Sequence, residues 1–313
     1  MTARAERAAP VRTRFPFPRR GAVRLTFGLG MLMLVLFAFV PAVAVIVVSF
    51  TDLRGLTYVP TLWVGIENYL DFFSPARAAD NWNALRNTMV FAIVGTVLQM
   101  GFALAISLLL NRPLRGRNFF RAVVFMPTIL GVTVGGLIWS LIFNPAGGPM
   151  QSLLHAVGTQ SAFFGDPRIA LGLVIFVHVW MQVGISVVIF LAGLQAIPAE
   201  LQEVASIDGA SAWQRFRNVT FPLLAPSLTA NVLMGVVNAM HSYQLTYVLA
   251  GPSNRSTQVL SLLVYVQAFG GESGTSLSQS QGYAAAIATL QFVLVGVIAL
   301  ATLFYLRRRE ARL

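Results

Sequence analysis

Six stretches of the chain, at about 27–50, 87–110, 122–143, 169–192, 227–250 and 283–306, are apolar over more than twenty residues and hold none of its eleven Asp and Glu. A helix rises about 1.5 Å per residue, so about 20 apolar residues cross the roughly 30 Å hydrocarbon core of a bilayer. A strand with open edges would leave backbone groups unpaired in lipid, so all six stretches predict helices. With 56% hydrophobic residues, 11% charged residues and mean hydropathy +0.72, the chain has too little polar surface for a soluble domain. The fold class is an all-α polytopic membrane protein with six transmembrane helices.

Arginine sets the topology. All 22 basic residues are Arg. With an inner N-terminus, 17 of them fall on one side: seven before the first span, Arg112, Arg115, Arg117 and Arg121 after the second, Arg215 and Arg217 after the fourth, and Arg307, Arg308, Arg309 and Arg312 at the end. Only Arg54, Arg77, Arg86, Arg168 and Arg255 lie on the other. The excess marks the cytoplasmic face and places both termini there. Because these arginines flank spans rather than forming one basic face, the net charge of +11 gives no reason to expect nucleic acid. The first span is too long for a signal peptide's core and predicts an uncleaved anchor. Residues 1–24, rich in Arg and Pro, predict a disordered arm before a membrane domain over 25–306 and a tail over 307–313.

Several chemistries are excluded. The chain has no Cys and no Lys, so it offers no thiolate site and no phosphate-binding loop lysine. It is not expected to be an enzyme or to bind a cofactor or metal. An ion-coupled carrier usually holds its ion on a carboxylate at membrane depth, and none is present, which leaves sodium coordinated by backbone carbonyls as the open route. A secondary carrier or facilitator that works without an ATPase is the rival class, and it predicts uptake by this chain alone.

The most polar helical stretch lies between the fourth and fifth spans: "AIPAELQEVASIDGASAWQRFRNVTFP". Pro198 predicts a helix start, with Glu200 and Glu203 near the positive end of its dipole. The first helix is expected over 199–207, a turn at Asp208–Gly209 with Gly209 at positive φ, and a second helix from Ala210 to about Val219, stopping before Pro222. A partnerless amphipathic hairpin would also fit this spacing.

Glu203, Val204, Ala205, then Gly209, then Val219, Thr220, Phe221 and Pro222 resemble the EAA loop of ABC importer permeases. Segments 64–73, 85–130, 137–154 and 247–269 resemble the first permease subunit of maltose- or glycerol-phosphate-type importers. The resemblance implies the type I importer permease fold, with a coupling loop over 193–225 and Glu203, Ala205, Asp208, Gly209, Ala210, Phe216 and Pro222 as ATPase-coupling residues. It further implies a second, homologous permease, an ATPase dimer that uses the ATP and magnesium, an external solute-binding protein and a carbohydrate cargo. Glycerol phosphodiesters or another small solute are the alternative cargo.

Two spans hold neutral polar side chains. In the fourth, His178, Gln182 and Ser186 recur at four-residue spacing; in the fifth, Asn238, His241 and Ser242 share a face beside Tyr243 and Gln244. Such groups suit a polyhydroxyl cargo, and equally serve to join helices. Both readings stay open. Gly131 and Gly135 predict close helix packing, and Pro41 and Pro127 predict bends.

Overall fold

The computed structural model describes residues 20–55, 60–270 and 280–310. It divides into two compact units, residues 1–45 and 46–313. The described part of the first unit is one helical run. α1 (Arg20–Leu34) passes through a π turn at Val35–Phe39 into α2 (Val40–Val48), so the arm expected over 1–24 is helical from Arg20, and residues 1–19 lie outside the described residues. Pro41 does not break this run. A proline ring clashes with the carbonyl four residues back, and the π turn just before it, in which the Val40 N–H donates to the Val35 carbonyl, widens the helix at that place.

In the second unit α3 (Glu67–Phe72) precedes α4 (Ala78–Leu110), followed by α5 (Arg117–Ile129), α6 (Val132–Ile142), α7 (Pro149–Ala156) and α8 (Ala170–Gln195). Then come α9 (Ala199–Ile207), α10 (Ala212–Arg215), α11 (Phe221–Leu223), α12 (Ala225–Met240), α13 (Tyr243–Ala250), α14 (Leu260–Phe269) and α15 (Gln281–Glu310). Among the described residues, strand pairing is limited to one isolated bridge, Thr51 with Trp63. Among the described residues, four helices are long and apolar enough to cross a membrane, or up to six if each of two bent pairs counts as one span.

The expected span limits need correction in three places. First, α4 begins at Ala78 rather than near 87, and its 33 residues rise about 50 Å. The turns carrying Asp80, Asn83 and Arg86 therefore project beyond a hydrocarbon core of about 30 Å. Second, the third span is two helices at 99°. The break comes after Pro127, at Leu130 and Gly131, whose backbones are extended. Third, the fifth span breaks between α12 and α13, at His241 and Ser242. At the other end of the chain α15 carries helix through Arg307 to Glu310, into the expected tail.

The glycines show how the bent third span packs. A Cβ on Gly184 of α8 would lie 2.6 Å from Thr128 Oγ1 and 2.8 Å from the Val124 carbonyl, so α5 rests directly on α8. A Cβ on Gly135 would meet Met181 at 2.8 Å, and one on Gly136 would meet Val248 at 2.7 Å, so α6 crosses over to α13. Close packing therefore belongs to Gly135 and Gly136. Gly131, expected to share it, stands at the bend with open space around it.

A core of Phe91, Val174, Val177, Met181, Met240 and Leu245 joins α4, α8, α12 and α13. Van der Waals packing and hydrogen bonds hold such helices together, because lipid is as apolar as they are. Gln99 supplies the hydrogen bonds. Its Nε2 donates to Ser186 Oγ at 2.8 Å and lies 3.3 Å from the Gln182 carbonyl, and Asn231 Nδ2 donates to the Ser186 carbonyl at 3.3 Å. One amide thus stitches α4 to α8, and a second stitches α12 to α8.

Candidate functional site

The polar hairpin lies at the end of the bundle where α4 and α8 finish. Its first helix is α9, which ends in a Schellman motif: the Gly209 N–H donates to the Ser206 carbonyl at 3.1 Å and the Ala210 N–H to the Ala205 carbonyl at 3.0 Å. This pairing needs a left-handed residue after Asp208, and Gly209 supplies it at φ +75°. Ser211 then starts α10 with a capping box, its Oγ accepting from the Gln214 N–H while Gln214 Oε1 accepts from the Ser211 N–H.

The second helix does not stop before Pro222, as expected. It runs on through a π turn at Phe216–Thr220 and α11, and the chain bends by 67° only at Leu224, where α12 begins. Here too the π turn lies just before a proline, with the Phe221 N–H donating to the Phe216 carbonyl. Gln202 Nε2 donates to Thr220 Oγ1 at 3.0 Å and ties the two arms. The outer surface of the hairpin is apolar as well as charged: Ile207 is 84% and Trp213 65% exposed, and Trp213 stacks on Phe216 at 5.5 Å. Glu203, Asp208 and Gly209 are exposed beside them, and Ala205, Ala210, Phe216 and Pro222 are half-buried.

A second candidate site lies at the break between α12 and α13. Breaking a helix in lipid orphans backbone carbonyls. The Met240 carbonyl is satisfied by Gln291 Nε2 of α15 at 2.8 Å. Beside this bond opens a cleft of about 560 Å³ lined by His241, Tyr243, Tyr265, Phe269, Gln291 and Phe292 among others. Its aromatic wall is ordered. Tyr243 stacks on Tyr265 at 5.3 Å, while Tyr247 and Phe269 stand 5.5 and 5.4 Å from the same ring. None of the described residues lining this cleft is Asp, Glu or Arg. Asn238, His241 and Gln244 are exposed on the same stretch of chain, and His241 Nδ1 donates to the Val237 carbonyl at 2.9 Å. Ser242 is buried, with its carbonyl accepting from Thr246 Oγ1 at 3.1 Å.

The fourth-span residues sit elsewhere. His178 and Ser186 are buried and Gln182 is half-buried. His178 and Phe91 of α4 pack edge to face, their ring centroids 5.0 Å apart. The spacing does put all three on one face, but that face packs on α4, so this geometry favours helix joining over a passage.

The family model described as "Binding-protein-dependent transport system inner membrane component" matches residues 99–312. The chain belongs to this family. It is an inner-membrane transport permease. The multiple sugar-binding transport system permease protein of Streptococcus mutans is 33% identical over 251 residues, covering 80% of this permease and 83% of that one. The sn-glycerol-3-phosphate transport system permease protein of Agrobacterium fabrum is 32% identical over 261 residues, covering 81% and 86%. Among solved structures, a chain of a bacterial ABC transporter involved in the import of the acidic polysaccharide alginate matches with TM-score 0.77 at 18% identity, over 91% of this permease and 95% of that chain. The permease therefore has the fold of an ABC importer membrane subunit.

Sequence reasoning missed four residues of the two sites. Ile207 and Trp213 were legible as large apolar side chains inside a polar stretch. Gln291 was legible as the lone amide of the last span. Tyr265 carried no signal, because its place depends on α14 folding back against α13.

Proposed function

We propose that this permease is half of the passage of an ATP-driven importer for a sugar or small oligosaccharide. Both termini and the α9–α11 hairpin face the cytoplasm, a reading supported by the excess of arginines, 17 of 22, on that side. A separate ATPase pair docks on the hairpin through Glu203, Ile207 and Trp213, and a second, homologous permease closes the passage opposite α12 and α13. A soluble binding protein delivers cargo to the outer face.

The observation that carries the cargo assignment is the uncharged cleft with its stacked tyrosines. Sugar rings lie on aromatic faces, and their hydroxyls need neutral donors and acceptors such as His241 and Gln291. A phosphate-bearing cargo would call for a cation in this cleft. The sugar named for the Streptococcus mutans relative supports the same class. Exposed Asn238, His241 and Gln244 at membrane depth point the same way, since polar groups there face a partner or water rather than lipid.

ATP binding to the motor would draw the hairpins together and rock the bundle between inward- and outward-open states. Cargo must bind the two states differently for this cycle to have a direction. Tyr265→Ala tests the assignment. Losing an aromatic stack worth about 0.5–1.5 kcal/mol should lower sugar uptake by about 2- to 10-fold in proteoliposomes of the assembled complex. Unchanged uptake of every sugar that the parent carries would remove the cleft from the passage.

A further inference from the structure

The end of the bundle opposite the hairpin holds a cleft of about 810 Å³ between the first turns of α4, the start of α8 and the segment 253–256. Asp80, Asn83, Arg86, Arg168, Asn254 and Arg255 line it, with others. Three of the five arginines that the sequence places on this side thus share one concavity. That is unexpected, because translocated segments near spans are depleted of arginine. Asp80 is the only carboxylate among the described lining residues, and it pairs with Arg255. The nearby Asp166 is engaged in accepting from the Arg168 backbone N–H at 2.9 Å. Arg86 and Arg168 have no ion pair among the described residues, and both are exposed.

The floor of the cleft is rigid. Asn83 Nδ2 donates to the Arg255 carbonyl at 2.5 Å, and Asn87 Nδ2 lies 3.0–3.3 Å from the carbonyls of Arg255, Ser256 and Gln258. Thr88 Oγ1 accepts from the Leu260 N–H at 2.8 Å, and Asn254 Nδ2 donates to the Phe164 carbonyl at 2.8 Å. Two helices and two loops are therefore bolted together beneath the guanidinium groups. The backbone of this surface therefore has little freedom left to lose when a partner arrives.

We propose that this cleft receives an acidic surface of the soluble binding protein, with Arg86 and Arg168 as its free cations. The inference rests on the functional reading above, which supplies that partner and the external side. An open cleft with unpaired, exposed guanidinium groups at the outer face fits carboxylates carried on a protein surface. Charges placed at the rim of an interface act mainly on the rate of encounter and on its salt dependence.

The test uses the complete transporter in nanodiscs, with its ATPase and binding protein, and follows association kinetics at low salt. Arg86→Glu with Arg168→Glu should slow association about tenfold or more at 0.05 M salt, and the difference should fade near 1 M, where the screening length is about 3 Å. Arg86→Gln with Arg168→Gln should give a smaller effect of the same sign, and co-purification of the ATPase shows that each variant has folded. A binding protein with Glu→Lys changes in its acidic surface should recover the rate with the double glutamate variant. Equal rates and equal salt dependence in parent and variants overturn the proposal. Cargo alone binding the transporter, and losing that binding in the double variant, would overturn it in favour of an anionic cargo site. A parent transporter that captures no binding protein at all would refute the functional reading itself.

Discussion

Replacing Gly209 isolates the elbow of the hairpin from everything around it. Gly209 stands at φ +75°, and a Cβ built there meets nothing within 4 Å. No clash therefore adds to the backbone cost, which for an L residue in the left-handed region is about 1–2 kcal/mol. That lowers the population of the folded elbow by about 5- to 30-fold relative to its open forms. Asn tolerates the left-handed region through local hydrogen bonds, whereas a β-branched residue does not. Gly209→Asn, Gly209→Ala and Gly209→Val should therefore form a descending series. The assay is ATP hydrolysis and sugar uptake measured in the same proteoliposomes, read as sugar moved per ATP. Parent-like coupling in Gly209→Val refutes the reasoning, as would an Asn variant no better than Ala.

Three other perturbations address separate parts of the account. Ile207→Asp removes an apolar contact of about 1.5–3 kcal/mol, so ATPase affinity in detergent should fall about tenfold or more, measured by co-purification at graded concentrations. Gln291→Leu leaves the Met240 carbonyl unpaired in an apolar setting, at about 1–3 kcal/mol, and should lower the thermal midpoint and uptake together; Gln291→Asn, too short to reach, should behave alike. Gln99→Leu cuts the stitch between α4 and α8, where hydrogen bonds in membranes average about 0.6 kcal/mol, so a small drop in thermal midpoint with near-normal uptake is expected.

The long helices were legible because twenty apolar residues admit few other structures in lipid. The first arm of the hairpin was legible to the residue, since Pro198, the glutamates and Asp208–Gly209 are all local signals. The breaks were not. Pro127 does bend its span, but the bend is expressed at Leu130 and Gly131, where α5 parts from α8 and α6 turns towards α13. The break at His241 and Ser242 has neither Gly nor Pro, and it depends on Gln291, fifty residues away in sequence. Pro222 and Pro41 read as stop or bend signals, yet each is absorbed by a π turn just before it. Spacing likewise put His178, Gln182 and Ser186 on one face, but only tertiary packing reveals that this face meets α4.

The protein has no cysteine, so Ile207→Cys creates a unique thiol at the tip of the hairpin. Its reaction with a membrane-impermeant maleimide, in intact cells, in inverted vesicles and in inverted vesicles with the ATPase bound, is the decisive measurement. Labelling confined to inverted vesicles and blocked by the ATPase is the expected result. Labelling in intact cells, or labelling indifferent to the ATPase, would contradict the account.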